Sequence, residues 1–433
     1  MKKILKKIVP KFLISLYHFV AVKFFQVLYQ NPSEKMIVVG ITGTKGKSTV
    51  ANLLWSILAE AGIKAGVTST ANFRVGQEER PNPYHMTMPG PSILYWLIRE
   101  MAKKNCRVAI VETTSEAIVQ HRHRGINYDM VVFTNLAPEH IEAHGSLERY
   151  RAAKGKLFLH LNKSRRKFFG KKMLPKKSLI FGDDPQARYF LQFPTDEKIT
   201  FGLGEKNDFV ARSIRADETG VRFVVAGHEY YIPILGAFNA QNALAALAVA
   251  RTLGIDFSAI GRGLARAAVP GRMEKIATPK PFTVIVDYAH EPKSMTALLE
   301  TAHSLVGNGK IILLTGSAGG GRDKSRRAVL GELGAKMADF LVVANEDPYG
   351  EDPQAIIDEI VLAAKKNGKV MGKNLFEFLE RRQGIAKALS LARTGDIVLI
   401  AGKGAEQKMM VGESKSIPWD DRDVVREELA KIK

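Results

Sequence analysis

The chain has 433 residues, 45% of them hydrophobic and 25% charged, the balance of a soluble globular protein with room for two or three cores. Its single cysteine, Cys106, excludes an intrachain disulfide and any cysteine zinc cluster, and fits a reducing compartment. Against 44 Asp and Glu stand 64 Lys and Arg, a formal charge of +20, which favours polyanionic partners such as nucleotides, nucleic acid or an anionic membrane face.

Residues 1–35 form a basic amphipathic segment. MKKILKKIVPK leads into an apolar run from Phe12 to Tyr29, broken chiefly by His18 and Lys23. The run is borderline for a span of about 20 residues, and Lys23 sits badly inside one. No small-residue cleavage site follows it. Two readings stay open for residues 1–30: a helix lying on the inner membrane surface, and a helix packed on the next domain.

After Asn31-Pro32-Ser33, strands and helices alternate. MIVVGIT is a predicted strand, and KSTVANLLWSILAEAG a helix that starts at Lys47 and ends at Gly62. VAIVETT (108–114) and MVVFTNL (130–136) read as buried strands with polar carboxyl ends, where open parallel sheets carry their ligand crevice. The basic stretch NKSRRKFFGKKMLPKK (162–177) reads as a solvated loop in preference to a binding patch. Residues 165–235 look less regular, with β-hairpins in DFVARSIRADETGVRFVVAGHEYYIPI. From Gly271, FTVIVDYAH, KIILLTGSAGG, FLVVANEDP and DIVLIAGKG are four apolar strands with helical segments between them. The predicted class is α/β: a central P-loop-type ATPase domain over 36–270 with a mostly parallel sheet, and a Rossmann-like domain over 271–433.

The chemistry concentrates first in Gly40-Ile-Thr-Gly43-Thr-Lys-Gly46-Lys47-Ser48-Thr49. The usual P-loop spacing needs glycine at 41, where this chain has Ile41. Strand, glycines, Lys-Ser and helix are nevertheless in order. Backbone N–H groups of Gly43, Thr44 and Gly46 and the helix N-terminus would face one small volume suited to phosphate oxygens. Lys47 is expected on the terminal phosphates, and Ser48 or Thr49 on Mg²⁺.

With its shifted glycine this loop resembles the ATP loop of the Mur ligases, the amide-forming enzymes of peptidoglycan precursor synthesis, a relationship that folylpolyglutamate synthases share. Lys45 stands where that family usually has Asn. The likeness is collinear over about 36–430. VETTSEA resembles E-V-S-S-H and implies Glu112 as a Mg²⁺ ligand, with Glu116 in place of the histidine. FTNLAPEHIEAHGSLERYRAAKGKLF resembles F-T-N-L-x-x-D-H-L-D-x-H-G…Y-x-x-A-K. It implies His140 as a second-metal ligand and Lys154 as a carbamoylated lysine that helps position Mg²⁺. Lys47, Glu112, His140 and Lys154 are thereby the expected catalytic set. GAFNAQNALAAL implies Asn239 and Asn242 near the adenine, PGRMEKI implies Arg272 on ATP phosphates, and VIVDYAHEP implies Asp287 and His290 facing the nucleotide.

On the substrate side, HMTMPGP resembles a T-T-P segment and implies Thr87 and Pro89. GSAGGGRDKSRR implies Arg322, and AGKGAEQ implies Gly402 and Glu406, with Ala405 in place of a histidine. Asp347 and Tyr349 fall in Glu346-Asp347-Pro348-Tyr349, where relatives that use meso-diaminopimelate carry D-N-P-R. One tyrosine hydroxyl replaces a guanidinium fork, so a second carboxylate loses its expected bidentate partner. PWDDRDVVREEL matches the tail of the branch that adds the third peptide residue.

The resemblance implies an ATP- and Mg²⁺-dependent ligase that adds diaminopimelate or lysine to UDP-MurNAc-L-Ala-D-Glu through an acyl phosphate, in the cytoplasm or peripherally on the inner membrane face. The family's N-terminal domain holds the uridine end, and about 35 residues ahead of the sheet are too few for it. Membrane placement or another protein is expected to substitute. A folylpolyglutamate-synthase-like ligase for another carboxylate is the enzyme alternative. A basic P-loop nucleic-acid-binding protein is the outside one, although nucleic acid is not the expected partner because that reading leaves His140, Asp287 and His290 unused.

Overall fold

In the computed structural model, residues 10–84, 86–137, 144–169 and 171–432 are described. They divide into two compact units. The first holds those up to Arg215 together with Arg222–Pro233 and Phe238–Ala267, and the second holds Ala216–Val221, Ile234–Ala237 and those from Ala268 onward.

The strands up to residue 133 are β1 (Ile37–Thr42), β2 (Ala65–Thr68), β3 (Asn72–Val75), β4 (Glu78–Pro81), β5 (Val108–Glu112) and β6 (Met130–Phe133). A two-residue hairpin follows, β7 (Phe168–Phe169) and β8 (Lys172–Met173), and then β9 (Lys177–Phe181), β10 (Glu197–Gly202) and β11 (Phe209–Val210). Apart from the hairpin they form one sheet in the order β11-β10-β9-β6-β1-β5-β2-β3-β4. β1 lies at its centre, parallel to β5 and β6. All six of its residues are buried, which explains its unbroken apolar reading: a parallel strand is covered on both faces. Three further strands, β12 (Arg212–Asp217), β13 (Gly220–Val225) and β14 (His228–Ile232), make the separate small sheet that the hairpin reading anticipated.

The helix Lys47–Glu60 leaves β1 and packs on the helices Asn239–Thr252 and Phe257–Ala265. Alanine and glycine let these helices come close. A Cβ on Gly263 would stand 2.5 Å from the Ile57 Cα, and Ser56 Oγ donates to the Gly263 carbonyl at 2.7 Å. The helix that follows β1 is thereby seated from behind.

The N-terminal helix runs from Lys11 to Leu28. Val22 is fully buried, and Ser15 Oγ lies 2.7 Å from His121 Nε2, so one side packs on the first unit. Among the described residues no helix is long and apolar enough to cross a membrane.

In the second unit β15 (Glu274–Ile276), β16 (Thr283–Asp287), β17 (Ile311–Thr315), β18 (Phe340–Ala344), β19 (Leu375–Phe378) and β20 (Ile397–Ala401) form a sheet in the order β15-β16-β20-β17-β18-β19. It is parallel except at β15, and Val286, Leu314, Val342 and Ile400 centre its core.

Two readings need correction. β9 and β10 lie inside the stretch that looked irregular, yet they extend the main sheet in parallel. Each opens on two polar residues, Lys177-Ser178 and Glu197-Lys198, so neither shows the unbroken apolar run of a buried strand. The basic stretch 162–177 is not simply solvated. Lys167 and Lys176 are buried, with their ammonium groups 2.5 and 3.0 Å from the Asp129 carboxylate.

Candidate active site

β1 ends at Thr42, and the chain turns through two glycines into the helix at Lys47. Gly43 has φ +152° and Gly46 φ +81°, the latter in the left-handed region that glycine tolerates best. Side chains crowd both positions. A Cβ on Gly43 would lie 2.0 Å from Thr134 Oγ1, and one on Gly46 2.1 Å from Asn242 Oδ1. Ile41, where the usual spacing would put glycine, is fully buried in β1, so the turn simply begins two residues later.

Residues beyond β6 hold the loop. Thr44 N–H donates to the Asn135 carbonyl at 2.9 Å, and Lys45 N–H to Asn135 Oδ1 at 2.9 Å. Thr134 Oγ1 donates to the Lys45 carbonyl at 2.7 Å. Such a cross-braced loop ahead of a helix N-terminus has the geometry that suits an anion. The Lys47 ammonium bonds the Thr44 carbonyl at 2.8 Å, folded back over its own loop.

Three separated stretches meet here. Ser48 Oγ donates to Glu112 Oε2 at 2.7 Å, and Glu112, at the end of β5, also accepts Thr70 N–H and Thr70 Oγ1. Lys154 is 1% exposed. Its ammonium donates to the Gly43 carbonyl at 2.8 Å and stands 4.4 Å from the centre of the Tyr150 ring. Asn242 of the Ala-rich helix sits beside Gly46, and its Nδ2 donates to Asn239 Oδ1. Thr49 is buried. His140 lies outside the described residues. Nearby, His144 Nε2 lies 3.0 Å from Ser115 Oγ, and burial together with Lys154 holds its imidazole below the usual range.

Mg²⁺ can be tested against this donor set. Ser48 and Glu112 are hard oxygen donors 2.7 Å apart, near the edge of about 3 Å of an octahedron with ligands at about 2.1 Å. Among the described residues no group of three His, Cys, Asp or Glu side chains gathers, so the remaining ligands would be nucleotide oxygens and water. The residues fit the ion in that form.

Sequence reasoning missed three contributors. Tyr150, whose hydroxyl lies 3.2 Å from Thr44 Oγ1, and Asn135 both stood inside motifs already quoted, which was the available signal. Thr70 carried none. Of the predicted substrate pair, Thr87 bonds Thr70 Oγ1 at 2.7 Å and so reaches the Glu112 cluster, whereas Pro89 is buried.

A family model described as the Mur ligase middle domain matches residues 41–250, and one described as the Mur ligase glutamate ligase domain matches residues 271–404. A UDP-N-acetylmuramyl-tripeptide synthetase of Roseiflexus sp. (strain RS-1) is 35% identical over 416 residues, covering 93% of this chain and 80% of that protein. The chain belongs to the Mur ligase family. Members of that family are ATP-dependent ligases that form amide bonds and generally use Mg²⁺. A UDP-N-acetylmuramoyl-L-alanyl-D-glutamate--2,6-diaminopimelate ligase of Caldanaerobacter subterraneus subsp. tengcongensis is 33% identical over 407 residues, with 93% and 80% covered. In fold alone the Mur ligase also resembles a folylpolyglutamate synthase of Mycobacterium tuberculosis, with TM-score 0.68, 20% identity, and 89% and 92% of the two chains covered.

In the second unit of this Mur ligase, the predicted residues collect at the carboxyl ends of β16, β18 and β20. Asp287 accepts the N–H groups of Met273 and Ala289, both at 2.7 Å, bracing the turn that carries Arg272. The Arg272 guanidinium lies 4.1 Å over the Tyr288 ring, and His290 Nδ1 sits 2.7 Å from the Tyr288 carbonyl. Lys403, which the sequence reading passed over inside Gly-Lys-Gly, joins Asp347 at 2.8 Å to Glu406 at 2.7 Å. Burial opposes its charge, but Glu406 and Asp347 push its ammonium up to about 12. Glu406 also accepts the Tyr288 hydroxyl at 3.1 Å. Asp347 and Glu406 are thus tied into a buried network that shapes the sheet ends, and Arg322 is coupled electrostatically to Tyr288, Tyr349 and Glu406. Tyr349 has φ +54°, and its ring lies across Gly320. Gly402, at φ +118°, leaves room for the buried Glu346 carboxylate.

Proposed function

We propose that this Mur ligase joins an amino acid to UDP-MurNAc-L-Ala-D-Glu at the expense of ATP, the third-residue step of peptidoglycan precursor synthesis named for its relatives. One observation carries the reading: Gly43–Ser48, Glu112 and Lys154 converge through hydrogen bonds of 2.7 to 2.8 Å at the mouth of a helix N-terminus. Backbone N–H groups and Lys47 would hold the phosphates of ATP. The acceptor carboxylate attacks the γ-phosphorus, the bond to the bridging oxygen breaks, and ADP leaves with that oxygen. The amine of the incoming amino acid then attacks the acyl carbon. Its C–O bond to phosphate breaks, a proton leaves the nitrogen, and amide and inorganic phosphate result. The chain's own task is positioning and charge neutralisation.

Mg²⁺ held by Ser48 and Glu112 would supply neutralisation of the transferring phosphoryl charge. Lys154 is proposed to act as its carbamate: its burial beside Gly43 would place a carboxylate-like group next to the phosphate cradle. Labelling with ¹³CO₂ and observing a carbamate carbon that is missing in Lys154→Ala tests this. Arg272, Asp287 and His290 are the proposed nucleotide residues of the second unit. Tyr349 in place of arginine supports lysine, or diaminopimelate held differently, as the added amino acid. The reaction is placed in the cytoplasm, with residues 1–30 facing the inner membrane surface.

The test is phosphate release with ATP, UDP-MurNAc-L-Ala-D-Glu and single amino acids, with product mass as the readout. Amino-acid-dependent release is expected, falling at least 100-fold in Lys47→Ala. Normal turnover of Lys47→Ala, or turnover with a folate acceptor alone, would overturn the assignment.

A further inference from the structure

We propose that the helix Lys11–Leu28 docks the enzyme on an anionic bilayer surface, with its outward face entering the boundary between headgroups and acyl chains. This takes further the membrane placement above and rests on it only for the choice of leaflet. Most helices on a globular protein turn apolar residues inward. Here Val22 and Phe25 do turn inward, but the outward face is apolar as well. Positions 12, 13, 16, 17, 20, 23, 24, 27 and 28 are the exposed ones, and at about 100° per residue they fill one arc of about 160°. Lys23 is the only one of them that is not apolar. Phe12, Leu16, Tyr17, Val20, Phe24 and Val27 are between 54% and 70% exposed. The polar Ser15 and Gln26 lie on the more covered side.

A continuous apolar face of this kind marks an interaction surface. The surrounding charge selects the occupant. No acidic residue occurs before Glu34, whereas Lys2, Lys3, Lys6, Lys7 and Lys11 precede or open the helix. Exposed Arg124 stands 5.6 Å over the Phe19 ring, and exposed Lys156 acts on His121, the partner of Ser15. A second copy of the chain would bring two such basic rims together, at an electrostatic cost that anionic headgroups do not impose. At 18 residues and with Lys23 inside it, the helix is not long and apolar enough to cross, so it lies along the surface with its basic groups at headgroup level.

The full chain is floated, without nucleotide, with vesicles of equal phosphatidylglycerol and phosphatidylcholine and with vesicles of phosphatidylcholine alone. Strong partition to the first is expected, with about tenfold less to the second. The exposed double variant Leu16→Glu/Phe24→Glu should lower partition about tenfold while leaving phosphate release unchanged. Arg124→Glu/Lys156→Glu, which leaves every residue of the apolar face in place, should lower binding severalfold on the charged vesicles only. Equal partition of wild type and the first variant overturns the proposal. So does the absence of wild-type binding, including the case in which light scattering finds a dimer that the first variant dissolves. Failure of the ligase reading would instead appear in phosphate release, with vesicle binding intact.

Discussion

Gly46 caps the helix Lys47–Glu60 at φ +81°, with Asn242 Oδ1 pressed against the space a side chain would need. The left-handed backbone alone costs an alanine about 1–2 kcal/mol. Asn242, held by Asn239, must also give way. Gly46→Ala is therefore expected to weaken binding of a non-hydrolysable ATP analogue at least tenfold, read by calorimetry, and to lower stability by about 1–3 kcal/mol in urea unfolding. At this scale the residue types were readable in advance, because phosphate chemistry needs glycine, lysine and a hydroxyl in consecutive positions. Their partners were not. Nothing near position 43 indicates that the ammonium of Lys154, 111 residues later, bonds its carbonyl.

Between elements, Asp129 at the start of β6 gathers Lys167 and Lys176, and Lys167 also bonds the carbonyls of Met36 and Asn127. Two buried ammonium groups share one carboxylate, and burial lowers Lys167 to about 8 from the ordinary 10.5 despite Asp129. Between those values the unfolded chain binds the extra proton, so this group makes stability rise with pH from about 8 to about 10.5. The rise is on the order of 3 kcal/mol. Unfolding by urea across that range should show a steeper increase for wild type than for Lys167→Met. Removing the carboxylate is harsher: Asp129→Ala is expected to cost about 3–5 kcal/mol, since it strands two buried charges. The strands around this cluster escaped pattern reading because β9 opens on Lys177-Ser178 and β10 on Glu197-Lys198, so neither shows the unbroken apolar run of an equally short strand such as β17.

Across the whole molecule, 64 basic against 44 acidic residues leave a strongly positive chain facing polyanionic substrates. Long-range attraction raises encounter rates and fades as the screening length drops from about 10 Å at 0.1 M salt toward 3 Å at 1 M. The expected outcome is a severalfold fall in kcat/KM for UDP-MurNAc-L-Ala-D-Glu between low and high salt, with kcat little changed. Tight, steeply salt-dependent binding of DNA or RNA in a filter assay would instead assign the charge to nucleic acid.

By itself the sequence determined the α/β class, the four principal strands of the second unit, and the strand–glycine–helix order of the phosphate loop. These are written in contiguous residues, where steric limits on φ and the hydrophobic period act locally. Only the tertiary structure decided which atoms of the loop Glu112, Lys154 and Asn242 touch, that Asp347 and Glu406 are joined through Lys403, and that two lysines of a basic stretch lie buried on Asp129. It also decided which face of the N-terminal helix looks outward. Each of these depends on packing and on charges separated by tens to hundreds of residues, and no local pattern records them.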